Sequence, residues 1–343
     1  ATTYRGLLGG LQRRGHQIEF FERDAEWYAC HRDLPEPPQA QLRLYPNWDA
    51  IRAQALASAL AADVVVVGSY FPDAIPLLDA ILGHGRAPIC FYDIDTPVTL
   101  AQLRLGRCAY LRADHIPALD LYLSFTGGPV LSELKEAWGA RQVRPLYCAC
   151  DERDYLPASR PAHPAMALSF MGTFAPDRRR KLEQLFLEPA RRLPRLRFHL
   201  AGSMYPQSQL WPPNVRHDPH LPPGRHREFY ASSRLTLNLT RQAMVEAGYS
   251  PSVRLFEAAA AATALVSDPW PGLTDFFQPG AEILIASSAA EMVEAVQGTS
   301  DAEAARLGRA AQARVLAAHT GFHRAAALEG YLAELGRSAP SNA

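Results

Sequence analysis

Apolar residues Tyr4, Leu7, Leu8 and Leu11 recur at the i, i+3, i+4, i+7 spacing of one helix face. The run Arg14-Gly15-His16 ends that helix, and residues 17–21 read as the strand after it. A helix followed at once by a strand implies a parallel sheet whose first strand precedes residue 1. The alternation continues with a helix over 49–62 and the strand Asp63-Val-Val-Val-Val-Gly68, apolar on both faces as inside a parallel sheet. A helix is predicted over 73–82, then a strand over 88–92 that ends in Asp93-Ile-Asp-Thr-Pro97. A strand over 121–125 ends in Thr126-Gly127-Gly128, a helix covers 130–138, and a strand over 143–149 closes the series. Proline density across 154–164 marks a linker. The pattern then restarts, with strands over 167–171, 196–201, 235–239, 264–267 and 282–286. Helices are predicted over 176–187, 253–262, 289–297 and 302–335. The expected class is α/β, with two Rossmann-like doubly wound parallel-sheet domains, residues 1–152 and 153–343, facing across a cleft.

Composition narrows the partners. The chain has 343 residues, enough for two cores, and 35 basic residues balance 35 acidic ones. That neutrality gives no electrostatic reason to expect nucleic acid or an acidic membrane. No apolar stretch reaches the roughly 18–20 residues that span a bilayer, and the opening Ala-Thr-Thr-Tyr-Arg is no signal peptide. Five scattered cysteines, an odd number, fit reduced thiols and a cytoplasmic setting. Cys148 and Cys150 form a bare C-x-C pair that reads as small core residues. The histidines show no metal-ligand spacing; His319 and His323, four apart, lack the glutamate of a zinc-protease helix. No metal and no cofactor are expected.

In an open α/β sheet, ligands collect beyond the carboxyl ends of the strands. In the second half those positions carry Gly172 and Thr173, Gly202 and Ser203, then Thr240 and Arg241. The segment Tyr249-Ser250-Pro251-Ser252 enters the helix that carries Val253, Arg254 and Glu257. Ser250 or Ser252 suits an N-cap, and free amides at a helix start bind anions such as a diphosphate. Glu257, three residues beyond Arg254 on the same face, can accept two hydrogen bonds from a ribose diol. Arg178, Arg179, Arg180 and Lys181 start a helix, and one of them could reach a diphosphate, because guanidinium forks match phosphate oxygens; a solvated helix face is the plainer reading. In the first half, Asp93 and Asp95 stand at a strand end, where a carboxylate could orient or deprotonate an acceptor hydroxyl. A metal-holding D-x-D reading is set aside, because arginines and helix amides can neutralise a leaving diphosphate. Asp95-Thr96-Pro97 reads equally as a helix start. Thr126 and Gly127 are candidates for the acceptor side or a plain turn, and His115 is an alternative base.

The stretch Tyr249-Ser-Pro-Ser-Val-Arg-Leu-Phe-Glu-Ala258, with Ser267-Asp-Pro-Trp-Pro-Gly-Leu-Thr-Asp-Phe-Phe277 and Gly280-Ala-Glu-Ile-Leu284, resembles the spore-maturation (CgeB-like) glycosyltransferases, relatives of the retaining GT-B enzymes. Phe91-Tyr-Asp-Ile-Asp-Thr-Pro97 and Phe170-Met-Gly-Thr-Phe174 are similar to that family as well. The resemblance implies a GT-B fold, with Glu257 binding donor ribose and Ser250 to Val253 binding donor phosphates. Two positions depart from it. Tyr249 stands where the broader group has a second acid, and Ala262-Thr263-Ala264 replaces a Gly-Thr-Pro turn after the alanine run. The activity expected is transfer of a sugar from a nucleoside diphosphate sugar to a hydroxyl acceptor, without a metal. The alternatives are a sugar-nucleotide epimerase or hydrolase of the same fold, or a non-catalytic sugar-nucleotide-binding protein.

Overall fold

A computed structural model describes residues 2–25, 32–34, 36–84, 87–156 and 160–338. The chain opens with α1 (Thr2–Arg13), β1 (Glu19–Arg23), β2 (Gln41–Tyr45) and α2 (Trp48–Ala61). Asn47 caps α2, its side-chain oxygen accepting from the Ala50 amide at 3.1 Å. Next come β3 (Val65–Gly68), α3 (Ala74–Ile81), β4 (Ile89–Asp93), α4 (Thr96–Arg104), β5 (Leu121–Ser124), α5 (Pro129–Glu136) and β6 (Val143–Pro145). Strands β3, β4, β5 and β6 form a parallel sheet in that order, and β1 pairs with β2 in parallel. Among the described residues the outer edges of β1 and β3 carry no strand partner. Asp73, just before α3, accepts from Tyr45 at the end of β2 at 2.8 Å, and Arg23 at the end of β1 lies 3.5 Å from the same carboxylate.

The second series holds β7 (Met166–Met171), α6 (Arg179–Leu182), a π-turn (Glu183–Leu187), α7 (Glu188–Arg192), β8 (Phe198–Ala201) and β9 (Val215–Asp218). It continues with α8 (His226–Ala231), β10 (Ser233–Asn238), α9 (Gln242–Ala247), α10 (Val253–Ala260), β11 (Ala264–Ser267) and β12 (Ile283–Ile285). Helices α11 (Ala289–Gly298), α12 (Asp301–Ala318) and α13 (Gly321–Ser338) end the chain. All six strands are parallel, in the order β12-β11-β10-β7-β8-β9. Leu168, Phe170, Phe198, Leu200, Leu235, Leu237 and Val266 from these strands pack with Phe186 and Leu307 into one buried core. The order reverses between β10 and β7, which is where a doubly wound sheet opens a binding crevice.

The compact units are Leu8–Cys148 with the last helix from Phe322, and Ala149–Gly321 with the first turns up to Leu7. This differs from a single cut after residue 152. Helix α13 joins the first unit because Glu329 binds Arg14 and His16, Glu334 binds Arg144, and the Tyr331 hydroxyl reaches the Pro145 carbonyl. The helix expected over 302–335 is broken at His319 and Thr320. There Thr320 bridges to Cys150, the Gly321 amide donates to the Cys150 carbonyl at 3.0 Å, and Gly321 lies so close to the Gly6 backbone that a side chain would overlap it. The strand expected over 143–149 stops at Pro145, whose ring has no amide hydrogen. Cys148 and Cys150 are both buried, and the Cys150 thiol donates to the Phe256 carbonyl.

Helix α10 ends on Ala262, whose φ of 54° is left-handed. The Thr263 amide donates to Ala258 and the Ala262 amide to Ala259, which is the Schellman pattern that glycine normally closes. An alanine there carries roughly 1 kcal/mol of strain.

Candidate active site

At the carboxyl edge of the second sheet, Met171 is in register with Ala201, and Asn238 with Ser267. The residues just beyond are packed backbone to backbone. A Cβ on Gly202 would overlap the Gly172 carbonyl oxygen, and a Cβ on Gly172 would sit 2.9 Å from the Arg254 guanidinium. Position 202 therefore requires glycine, while a side chain on Gly172 would push on Arg254 and Phe170. Thr173 is exposed, and its carbonyl accepts from Arg178 at 2.6 Å.

Asn238 is fully buried and organises the centre of the edge. Its amide nitrogen donates to Thr240 Oγ1 at 3.2 Å and Ser267 Oγ at 2.9 Å. Its oxygen accepts from Ser252 Oγ at 2.7 Å and Arg254 Nη1 at 3.0 Å. Thr240, expected as a ligand contact, is instead held by Asp268, which accepts from both its amide and its hydroxyl at 2.9 Å. Lys181 neutralises that carboxylate at 2.6 Å and also donates to the Thr240 carbonyl.

Ser252 takes the N-cap position of α10 with extended backbone, but its hydroxyl is turned to Asn238 and makes no cap bond. The first-turn amides of α10 consequently have no side-chain cap. Ser250 and Pro251 are buried, while Val253 is half-buried. Arg254 is buried, lies 4.8 Å from the centre of the Phe170 ring, and donates to the Met171 carbonyl and the Asn238 oxygen. Both acceptors are neutral, and among the described residues no carboxylate pairs with it. Burial lowers its pKa. Arg178 is pushed down to about 10, first by burial and then by repulsion from Arg254, with Arg241 adding to it. Arg241 itself is partly exposed and lies 3.4 Å from Asp177. A buried guanidinium with no paired carboxylate is costly, although the Glu257 and Asp268 charges offset part of that cost. An anion at the bare tip of α10 would relieve that cost and meet the helix dipole.

One turn deeper, Glu257 is 3% exposed. Its Oε2 accepts from Tyr230 at 3.0 Å, and His226 Nδ1 lies 3.9 Å away. Its Oε1 has no partner among the described residues. The Tyr155 hydroxyl is raised well above its ordinary value by burial and then by the Glu257 charge. Tyr249 follows Gly248 with a left-handed φ of 47°, and its amide donates to Pro271 at 2.6 Å. Gly272 passes directly under its ring.

In the first unit, Asp93 is fully buried and accepts from Tyr122 at 2.6 Å, Thr99 at 2.8 Å and the Asp95 amide at 3.2 Å. Burial lifts its carboxyl to about 6. With no exposed surface it organises the strand end rather than meeting an acceptor. Asp95 is half-buried at the start of α4, accepts from Tyr70 at 2.8 Å, and makes no cap bond. Tyr70 stands half-exposed on a left-handed φ of 63°. Thr126 and Gly127 are buried: the Thr126 amide donates to Ser124 Oγ, and the Tyr147 hydroxyl fills the space where a Gly127 side chain would stand. That is a turn. His115 is also internal, held by Asp79 at 2.9 Å.

A cavity of about 780 Å³ lies elsewhere, between Arg179, Arg180, Glu183, Gln184, Glu188 and Ala289. Arg179 and Arg180, from the basic run that begins at Arg178, line it; the other residues singled out by sequence do not. Among the described residues no group of three or more His, Cys, Asp or Glu side chains is placed to hold a metal, and no helix is long and apolar enough to cross a membrane.

Residues 178–330 match the family described as glycosyl transferase-like. No curated protein sequence matches the chain. Sucrose-phosphate synthase from Thermosynechococcus elongatus superposes with a TM-score of 0.67 at 14% identity, over 98% of this chain and 92% of its own. HepE from Anabaena, solved with UDP and glucose, gives 0.63 at 12% identity over 86% of each chain. An alpha-glucosyltransferase solved with UDP-glucose and DNA containing an abasic site gives 0.74 at 12% identity, over 97% of this chain and 95% of its own. The fold is that of the GT-B glycosyltransferases. The family match falls almost wholly within the unit that carries Arg254 and Glu257. At these identities the structural likeness is one of fold, so the chemistry is argued from the site.

Proposed function

We propose that this chain is a glycosyltransferase that moves a sugar from a nucleoside diphosphate sugar to a hydroxyl acceptor. The observation that carries the reading is the pairing on α10 of a buried guanidinium bonded only to neutral acceptors with a buried carboxylate one turn deeper that keeps one oxygen unpartnered. The diphosphate is assigned to the amides of Val253 and Arg254 and to the Arg254 and Arg178 guanidinium groups. The ribose is assigned to Glu257. Charge that develops on the leaving diphosphate is neutralised by these arginines and by the helix dipole, so turnover is expected to persist in EDTA. Asp95 is assigned to the acceptor hydroxyl, to orient it or accept its proton.

The spore-maturation-type (CgeB-like) resemblance supports the same assignment of Glu257 and of Ser250 to Val253. The solved complexes of similar folds with UDP and UDP-glucose make uridine the first base to try. The test is release of UDP from a panel of UDP-sugars, with and without hydroxyl acceptors. Release that requires an acceptor supports transfer. Release without one converts the reading to a hydrolase or epimerase, and binding without turnover to a sensor.

A further inference from the structure

Glu257 Oε1 is not the only orphan at this position. His226, half-buried at the start of α8, has a buried Nδ1 with no hydrogen-bond partner among the described residues, and that atom lies 3.9 Å from Glu257 Oε2. The other ring nitrogen, Nε2, is 3.3 Å from the Leu221 carbonyl, an oxygen that can only accept. In the neutral ring the proton is therefore on Nε2, and Nδ1 presents a lone pair. Tyr230 already spends its hydroxyl on Glu257 Oε2. One carboxylate oxygen and one imidazole nitrogen on neighbouring side chains are thus buried acceptors without a hydrogen bond among the described residues, and the nearby Tyr155 hydroxyl, raised by burial and then by the Glu257 charge, is the other donor at this carboxylate. Buried acceptors are normally satisfied, and an unsatisfied pair points to a ligand that brings two donors on adjacent atoms.

We infer that His226 is a specificity-determining residue of the donor site: a cis-diol donates one hydroxyl to Glu257 Oε1 and the other to His226 Nδ1, which restricts the site to ribonucleotides. The inference rests on the reading of Glu257 as the ribose ligand, and adds to it a second contact and a substrate class. A 2′-deoxy or 3′-deoxy nucleotide leaves one buried acceptor unpaired, and such a loss weighs more than the bond itself.

The experiment is calorimetry of UDP, 2′-deoxy-UDP and 3′-deoxy-UDP against the full chain and its His226→Phe, His226→Asn and Glu257→Ala variants, with melting curves to confirm folding. The wild type is expected to bind both deoxy analogues at least about 10-fold more weakly than UDP. H226F, which keeps the ring volume without the acceptor, is expected to lose about 10-fold toward UDP and to stop distinguishing UDP from one of the two analogues. H226N, whose amide oxygen can accept, is expected to recover part of that loss. Equal binding of all three nucleotides by the wild type overturns the inference without need of any variant. Unchanged UDP binding by H226F, with E257A impaired, overturns the role of His226 and leaves the donor site standing. Unchanged binding by both variants overturns the donor site as well.

Discussion

Arg254 separates a binding group from a structural one, because the two roles predict opposite effects on stability. Consider Arg254→Met. Methionine replaces the alkyl stem and keeps a polarisable contact on Phe170, over which the guanidinium now lies at 4.8 Å. What is lost in the absence of ligand is one donor to the Met171 carbonyl and one to Asn238, whose oxygen keeps its bond from Ser252. Those losses cost about 1 kcal/mol each. Against them, removal of a buried charge bonded only to neutral acceptors relieves its desolvation cost, less the attraction of the Glu257 and Asp268 charges that is lost with it. The free protein should therefore melt at the wild-type temperature or a few degrees above it. Donor binding should move the other way. Hydrogen bonds to an ionised partner contribute about 1.5–3 kcal/mol, so UDP affinity should fall about 10- to 150-fold. Calorimetry gives the affinity, and differential scanning fluorimetry with and without saturating UDP gives the stability and its linkage. An R254M protein that binds UDP as tightly as the wild type refutes the phosphate assignment. One that melts well below the wild type refutes the account of Arg254 as an unpaired buried charge.

Three further outcomes are expected. Gly202→Ala drives a methyl into the Gly172 carbonyl and should cost about 2–3 kcal/mol, roughly a 5–10 °C drop in melting temperature for a unit of this size; an unchanged melt contradicts the close backbone approach. Asp93 is a carboxyl raised from 3.8 to about 6, so its protonated form favours the fold; the stability it contributes is complete below about pH 4 and is lost as pH rises through 6. Relative to the wild type, Asp93→Asn should therefore gain about 2 kcal/mol between pH 4 and pH 7 in urea unfolding, and parallel pH profiles for the two proteins contradict this. Asp95→Asn should cut turnover about 100-fold with UDP affinity unchanged, and turnover within twofold of the wild type removes Asp95 from the acceptor chemistry.

The parts legible in the sequence are those governed by local pattern. Alternation of apolar strands with helices gave both sheets, and the step from Ser252 into Val253 through Glu257 placed Arg254 and Glu257 one turn apart on a buried face. Elements of mixed character escaped. Strand β9 reads Val-Arg-His-Asp and β2 reads Gln-Leu-Arg-Leu-Tyr, neither with a clean apolar run, and the alanine-rich approach to His319 hid the break before α13. The supporting residues of the site were hidden for a different reason. Lys181 stood in the basic run read as a diphosphate candidate, but its partner Asp268 is 87 positions away, and the two meet only because α6 packs over strand ends that the topology brings together. Asn238 and Ser252 are joined the same way. His226 and Tyr230 did carry a signal, an i, i+4 pair just before a buried strand, but nothing in spacing says that both turn toward Glu257. Asp93 looked like Asp95 in sequence, and only burial separates them.

The central claim is that α10 binds a nucleoside diphosphate through its first turn and through Glu257. Titration of UDP into the wild type and into Glu257→Ala, both shown to be folded, tests it most directly. Affinity at least about 10-fold weaker in the variant is the predicted result. Equal affinity in the two proteins, or no heat of binding in the wild type, contradicts it.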